Sequence, residues 1–122
     1  MPEKSKVLVV DDEDALRTVL SSELASEGYD VGTASDGDLA LAEVEKGKYD
    51  LVLLDIKMPH MNGFEVLKHI KEKHPKTKVI MLTGFADLKN AIESKKLGAE
   101  DFVSKPYDLV DLLTTIERVL NE

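Results

Sequence analysis

Three unbroken runs of four apolar residues constrain the fold more than any other feature of this chain: Val7-Leu8-Val9-Val10, Leu51-Val52-Leu53-Leu54 and Val79-Ile80-Met81-Leu82. They do not alternate with polar residues and are rich in β-branched side chains, which suits strands buried on both faces of a parallel sheet. Two weaker strands fit Asp30 to Ala34 and Asp101 to Ser104. Helical stretches with readable ends lie between the strands. Leu16, Val19, Leu20 and Leu24 are predicted to share one face of a first helix, which Gly28 closes. Leu39 to Val44 follows Asp36-Gly37 and stops at Gly47. Asn62 is placed to cap a helix carrying Val66, Leu67 and Ile70, with Glu65 three positions on, as in a capping box. Asp87 is placed to cap Leu88 to Leu97, and Gly98 stands where a helix end needs a residue free to take positive φ. Asp108 opens a last helix with an apolar stripe of Leu109, Leu112, Leu113, Ile116 and Leu120. The order βαβαβαβαβα predicts an α/β sandwich, a parallel sheet covered by helices on both sides through right-handed crossovers.

A length of 122 residues suits one domain and suffices to bury a core without staples. No repeat, low-complexity run or linker divides the chain, so residues 1–122 are read as a single domain. Cysteine is absent, which excludes disulfides, zinc-thiolate sites and cysteine nucleophiles. Lys and Arg number 16 against 24 Asp and Glu, a formal charge of −8. That balance argues against nucleic acid or an anionic membrane as a direct partner, since both select basic surfaces. The first apolar run is too short for a signal peptide, and no later segment approaches a membrane span. The expectation is a soluble, cytoplasmic protein.

Open parallel sheets bind ligands beyond the carboxyl ends of their strands, so the residues following each apolar run carry the functional information. The first run is followed by Asp11-Asp12-Glu13-Asp14, the third strand by Asp55, the fourth by Thr83-Gly84 and the fifth by Lys105-Pro106. This order gathers three carboxylates, a hydroxyl and an ammonium at one edge. Two like charges about 4 Å apart repel by roughly 1 kcal/mol in water and about 4 kcal/mol at an effective dielectric near 20. Clustered carboxylates therefore invite raised pKa values or a divalent cation, and all-oxygen ligands favour a hard ion such as Mg²⁺. With the metal and Lys105 neutralising an incoming phosphoryl group, Asp55 is placed to attack phosphorus and Thr83 to hydrogen-bond a phosphoryl oxygen. Each residue alone has a plainer reading: Asp11-Asp12 as helix caps, Asp55 as a turn residue, Thr83 as a strand end and Lys105 as a solvated side chain. Their joint placement after successive strands favours the functional reading.

These residues carry a family resemblance along essentially the whole chain. Val9-Val10-Asp11-Asp12-Glu13, Asp36-Gly37 with Ala40-Leu41, Asp55-Ile56-Lys57-Met58-Pro59 and Met61-Asn62-Gly63 supply its first half. Leu82-Thr83-Gly84, Gly98-Ala99 and Asp101-Phe102 with Ser104-Lys105-Pro106 complete it. In this order and spacing, the chain resembles the receiver domain of two-component response regulators. The resemblance implies a doubly wound, flavodoxin-like three-layer sandwich with a five-stranded sheet in order 2-1-3-4-5. It implies Asp55 as phosphoacceptor, charged by a sensor histidine kinase or a histidine phosphotransfer protein. Mg²⁺, with Mn²⁺ as a substitute, would be held by Asp12, Asp55 and the backbone carbonyl of Lys57, and by Asp11 through water. Lys105 would pair with the phosphoryl group, and the Lys105-Pro106 bond would be cis.

Thr83 and Phe102 match the family's switch pair. Phosphorylation, adding about −1.5 to −2 charges, would draw Thr83 in, let Phe102 turn inward and reshape the surface of the fourth helix, fifth strand and fifth helix. Lys57 and Phe85 fall where the family tunes phosphoryl lifetime, and bulky Phe85 is expected to slow hydrolysis. Asn62 stands where the family often has Asp, a change expected to cost no activity. The implied protein catalyses only its own phosphorylation and dephosphorylation. It signals to a protein target or to an output domain beyond this chain, and phosphorylation-dependent homodimerisation is compatible with the family.

Two competing functions fit less well. Haloacid-dehalogenase-like phosphatases carry a second Asp two positions after the nucleophile, where this chain has Lys57. An FMN carrier needs an uncharged, hydroxyl-rich loop after the first strand, and Asp11-Asp12-Glu13-Asp14 would repel its phosphate. No G-x-G-x-x-G or G-x-x-x-x-G-K-[ST] motif occurs. His60, His69 and His74 lack ligand spacing to one another and are expected to be solvated surface residues.

Overall fold

A computed structural model describes residues 5–58, 61–83, 88–105 and 107–122, and of Thr83 and Leu88 the backbone alone. Five strands and five helices alternate: β1 (Lys6–Val10), α1 (Asp14–Ser26), β2 (Asp30–Ala34), α2 (Gly37–Lys46), β3 (Leu51–Asp55), α3 (Gly63–Lys73), β4 (Lys78–Thr83), α4 (Leu88–Lys96), β5 (Asp101–Ser104) and α5 (Leu109–Leu120). The strands form one parallel sheet in the order β2-β1-β3-β4-β5. The expected α/β architecture and strand order are therefore both present.

The apolar runs are continuous because each strand serves two cores. Successive side chains point to opposite faces, so Leu8, Val10, Val52, Leu54, Val79 and Met81 pack with Ala40 and Val44 of α2 and Val66, Leu67 and Ile70 of α3. Their neighbours Val7, Val9, Leu51, Leu53, Ile80 and Leu82 pack on the other face with Leu20 and Leu24 of α1 and Leu112, Ile116 and Val119 of α5. All five residues of β3 are buried, as the central strand requires. Burying one Leu or Ile side chain contributes roughly 1.5–3 kcal/mol, so two such layers hold the sheet against the entropy of ordering the chain.

The helix ends follow local chemistry. Asp36, Asn62 and Asp108 are N-caps whose carboxylate or amide oxygens accept the backbone N–H groups of Leu39, Glu65, and Val110 with Asp111. Gly28 and Gly98 take φ of 97° and 102° beyond α1 and α4, the left-handed conformation that ends a helix at least cost in glycine. Two expectations need correction. Val19 is 60% exposed and not on the core face of α1; it lies about 100° of helix rotation from buried Leu20. The core face of α5 includes fully buried Val119, which the predicted stripe omits. Asp87 lies outside the described residues. Among those described, no helix is long and apolar enough to cross a membrane.

Candidate functional site

The strand order decides which loops meet. β1 and β3 are neighbours, with Val10 opposite Leu54. Asp11, immediately after β1, therefore sits beside Asp55, the last residue of β3. Both are buried, at 1% and 5% exposure, while Asp12 is exposed. Carboxylate oxygens of Asp11, Asp12 and Asp55 lie within 4.8 Å of one another. Lys105 enters from the end of β5, the far edge strand. Its Nζ lies 2.7 Å from Asp11 Oδ2 and 3.7 Å from Asp55 Oδ2.

Asp11 is held from every side. Its N–H donates to the Ala34 carbonyl at 3.2 Å, and Oδ1 accepts the Glu13 N–H at 2.9 Å. Oδ2 takes Lys105, and its carbonyl accepts Arg17 Nη1 at 2.8 Å. The plain capping reading of Asp11-Asp12 is thus partly right, since Asp11 braces the turn into α1. The N-cap itself is Glu13, whose side chain makes no capping bond.

Asp55 is less satisfied. It accepts the Lys57 N–H on Oδ1 at 3.3 Å. Burial pushes its carboxyl up to about 6; Lys105 and the Lys57 N–H oppose that rise, while Asp11 and Asp12 add to it. Burial pulls the Lys105 ammonium down, but its bond to Asp11 and the charges of Asp55, Asp11 and Glu13 outweigh that and hold it above the ordinary value. A buried carboxylate with two acidic neighbours and one shared ammonium is short of positive charge. The donors are all oxygen and include exposed Asp12, so the cluster fits a hard divalent cation entering from solvent.

The structure therefore brings together Asp11, Asp12, Asp55 and Lys105. Lys57 follows Asp55 in the same loop. The backbone of Thr83 ends β4 opposite Ser104 of β5, and its side chain lies outside the described residues. Gly84, Phe85, Pro106 with the Lys105-Pro106 bond, Pro59 and His60 also lie outside them. Phe102 is partly buried against the core on the α2–α3 face, opposite Met81 in the sheet. His69 is half-buried. His74 is not simply solvated: its Nε2 lies 3.1 Å from Glu45 Oε1.

Sequence reasoning gave no role to two residues here, although Gly63 belongs to the Met61-Asn62-Gly63 element of the resemblance. Gly63 opens α3 so close to β3 that an added Cβ would lie 2.4 Å from the Asp55 carbonyl oxygen. Arg17 was legible only as a basic residue three positions after Asp14 on a helix, with nothing to show that it reaches back to Asp11.

A parallel sheet carrying a carboxylate triad and a lysine at its carboxyl edge defines an α/β protein with an acidic site at the ends of its strands. The family model for the response regulator receiver domain matches residues 7–117, and the chain belongs to that family. It is 38% identical over 116 residues to regulatory protein AtoC of Escherichia coli K12, covering 95% of this chain and 25% of that one. The chain thus spans about a quarter of that relative's length. Among solved structures, a CheY-like response regulator receiver domain protein from Methanospirillum hungatei superposes with a TM-score of 0.94 at 36% identity, over 98% of this chain and 95% of that one. TrrA from Thermotoga maritima, solved in complex with Mg(2+)-BeF, superposes with a TM-score of 0.86 at 36% identity, over 94% and 98% of the two chains.

Proposed function

We propose that this receiver accepts a phosphoryl group on Asp55 and that Asp11, Asp12 and Lys105 make the transfer feasible. The observation that carries the reading is the company of buried Asp55: two further carboxylates within 4.8 Å and the Lys105 ammonium, paired with Asp11, 3.7 Å away. An Asp55 carboxylate oxygen forms the new O–P bond. The P–N bond of a donor phosphohistidine, or the P–O bond of an acyl phosphate, breaks, and its electron pair leaves with the donor. Mg²⁺, with Mn²⁺ as a substitute, would be held by Asp12, Asp55, the Lys57 carbonyl and, through water, Asp11, and would supply charge neutralisation for the phosphoryl oxygens. Lys105 keeps its bond to Asp11 while lying near enough to Asp55 to shift toward a phosphoryl oxygen.

The switch belongs to the same proposal. Thr83 supplies a hydroxyl to the phosphoryl group, and Phe102, now at the rim of the core, turns inward. The surface of α4, β5 and α5 changes and is read by a protein target, an output domain or a second copy of the chain. The donor is a sensor histidine kinase or a histidine phosphotransfer protein in the cytoplasm. The Mg(2+)-BeF complex of TrrA supports the ligand class.

Intact mass after incubation with acetyl phosphate tests the reading. One added phosphoryl group is expected, requiring both Mg²⁺ and Asp55 and absent from Asp55→Asn. No adduct from acetyl phosphate and no Mg²⁺-dependent beryllofluoride binding would leave a phosphate-independent interaction module.

A further inference from the structure

Arg17 has no part in the phosphoryl chemistry, yet it grips the loop that carries it. It lies one turn into α1, and its side chain is only 18% exposed. Nη1 donates to the Asp11 carbonyl at 2.8 Å, and Nη2 pairs with the Asp14 carboxylate at the helix start. Because the Glu13 side chain makes no capping bond, the guanidinium closes the first turn of α1 onto the end of β1.

Between the two anchor points sits Asp12. It is exposed, and its side chain makes no hydrogen bond or ion pair among the described residues. Its carboxylate is therefore aimed at the cluster only by the backbone on either side. On one side Asp11 is pinned at its N–H, its carbonyl and both carboxylate oxygens; on the other, the Glu13 N–H is fixed by Asp11 Oδ1. The carbonyl bond is the one that Arg17 supplies.

We propose that Arg17 is a positioning residue of the cation site, holding the Asp11–Glu13 backbone so that Asp12 is pre-aimed, and thereby raising affinity for Mg²⁺. The inference rests on the reading of Asp11, Asp12 and Asp55 as the cation's ligands. Arginine suits the task because its planar fork reaches two acceptors at once, which a lysine cannot do with the same fixed geometry. Charge alone would act in the opposite direction, since a nearby guanidinium repels a cation. The sign of the effect therefore separates positioning from electrostatics.

The test is a MgCl₂ titration followed by backbone amide NMR on the phosphate-free protein at pH 7, comparing wild type, Arg17→Gln, Arg17→Lys and Asp12→Asn. Arg17→Gln is expected to weaken Mg²⁺ binding by about tenfold, at the low end of what ligand-orienting partners contribute. Arg17→Lys loses the fork but keeps a long donor for one of the two acceptors, the Asp11 carbonyl or the Asp14 carboxylate, and should weaken binding by less. The Glu13 amide should exchange with solvent faster in Arg17→Gln before any metal is added. Equal or tighter Mg²⁺ binding by a folded Arg17→Gln protein overturns the inference. Should that variant fail to fold, wild-type affinity in Arg17→Lys overturns it instead. If wild type binds no Mg²⁺, or Asp12→Asn binds as well as wild type, the ligand assignment itself falls and the inference falls with it.

Discussion

Replacing Asp55 by Asn should make the metal-free protein more stable. The Asp55 carboxyl has its pKa raised from 3.8 to about 6, so its ionised form costs the folded state about 3 kcal/mol relative to the unfolded chain at pH 7. Asparagine keeps the volume and an oxygen for the Lys57 N–H, removes one of three clustered charges, and leaves Lys105 its shorter bond to Asp11. Allowing for relaxation and for solvent entering beside Asp12, the gain should be about 1–3 kcal/mol. At about 2.1 cal/mol/K of unfolding entropy per residue, 122 residues translate each kcal/mol into about 4 °C of Tm.

The pH dependence carries a definite sign. A folded pKa above the unfolded one means that the folded state binds more protons between about pH 4 and 6. Wild-type stability therefore falls relative to Asp55→Asn as pH rises through that window, and the two proteins converge below it. Thermal unfolding followed by circular dichroism in EDTA at pH 4, 5.5 and 7 reads the difference directly. A variant that melts at or below the wild-type temperature at pH 7 would refute the claim that the site is short of positive charge.

Lys105→Met should act in the opposite direction. It strips buried Asp11 of its ammonium partner and should cost the metal-free protein about 3 kcal/mol in urea unfolding, because a buried charge left unpaired keeps its desolvation penalty. Gly63→Ala places a Cβ 2.4 Å from the Asp55 carbonyl oxygen; it should cost about 1–3 kcal/mol and slow Asp55 phosphorylation by acetyl phosphate in a mass time course. Asp108→Ala removes the oxygen that accepts the Val110 and Asp111 N–H groups and should lower Tm by about 4 °C, or about 1 kcal/mol.

Much of this molecule is written in local pattern. Strand residues such as Val7–Val10 and Leu51–Leu54 declare themselves by unbroken apolarity, because a strand between two helical layers needs apolar side chains on both faces. Asn62 and Asp108 are readable as caps because a helix start leaves N–H groups that a short polar side chain one residue before it can satisfy. Asp11, Asp12, Asp55 and Lys105 were legible as candidates because each stands at the carboxyl end of a predicted strand, and in a parallel sheet those positions share one edge. Val19 misled because a helix face drawn from apolar residues alone does not say where the stripe stops, and Val119 was missed for the same reason.

What the tertiary structure alone decided are relations between distant positions. Alternation of strands and helices implied only a parallel sheet, and the family resemblance supplied its order; the packing of β1 against β3 then brought Asp11 beside Asp55. Lys105 approaches Asp11, 94 residues away in sequence, more closely than it approaches Asp55. The rise of the Asp55 pKa depends on how much water the fold removes, and Arg17's grip on the Asp11 carbonyl depends on where α1 starts relative to β1. Sequence pattern determined the elements and the chemistry they carry, because backbone and solvation preferences act over a few residues. Distances, dielectric and charge balance at the site were left to packing, because they are properties of the space between elements.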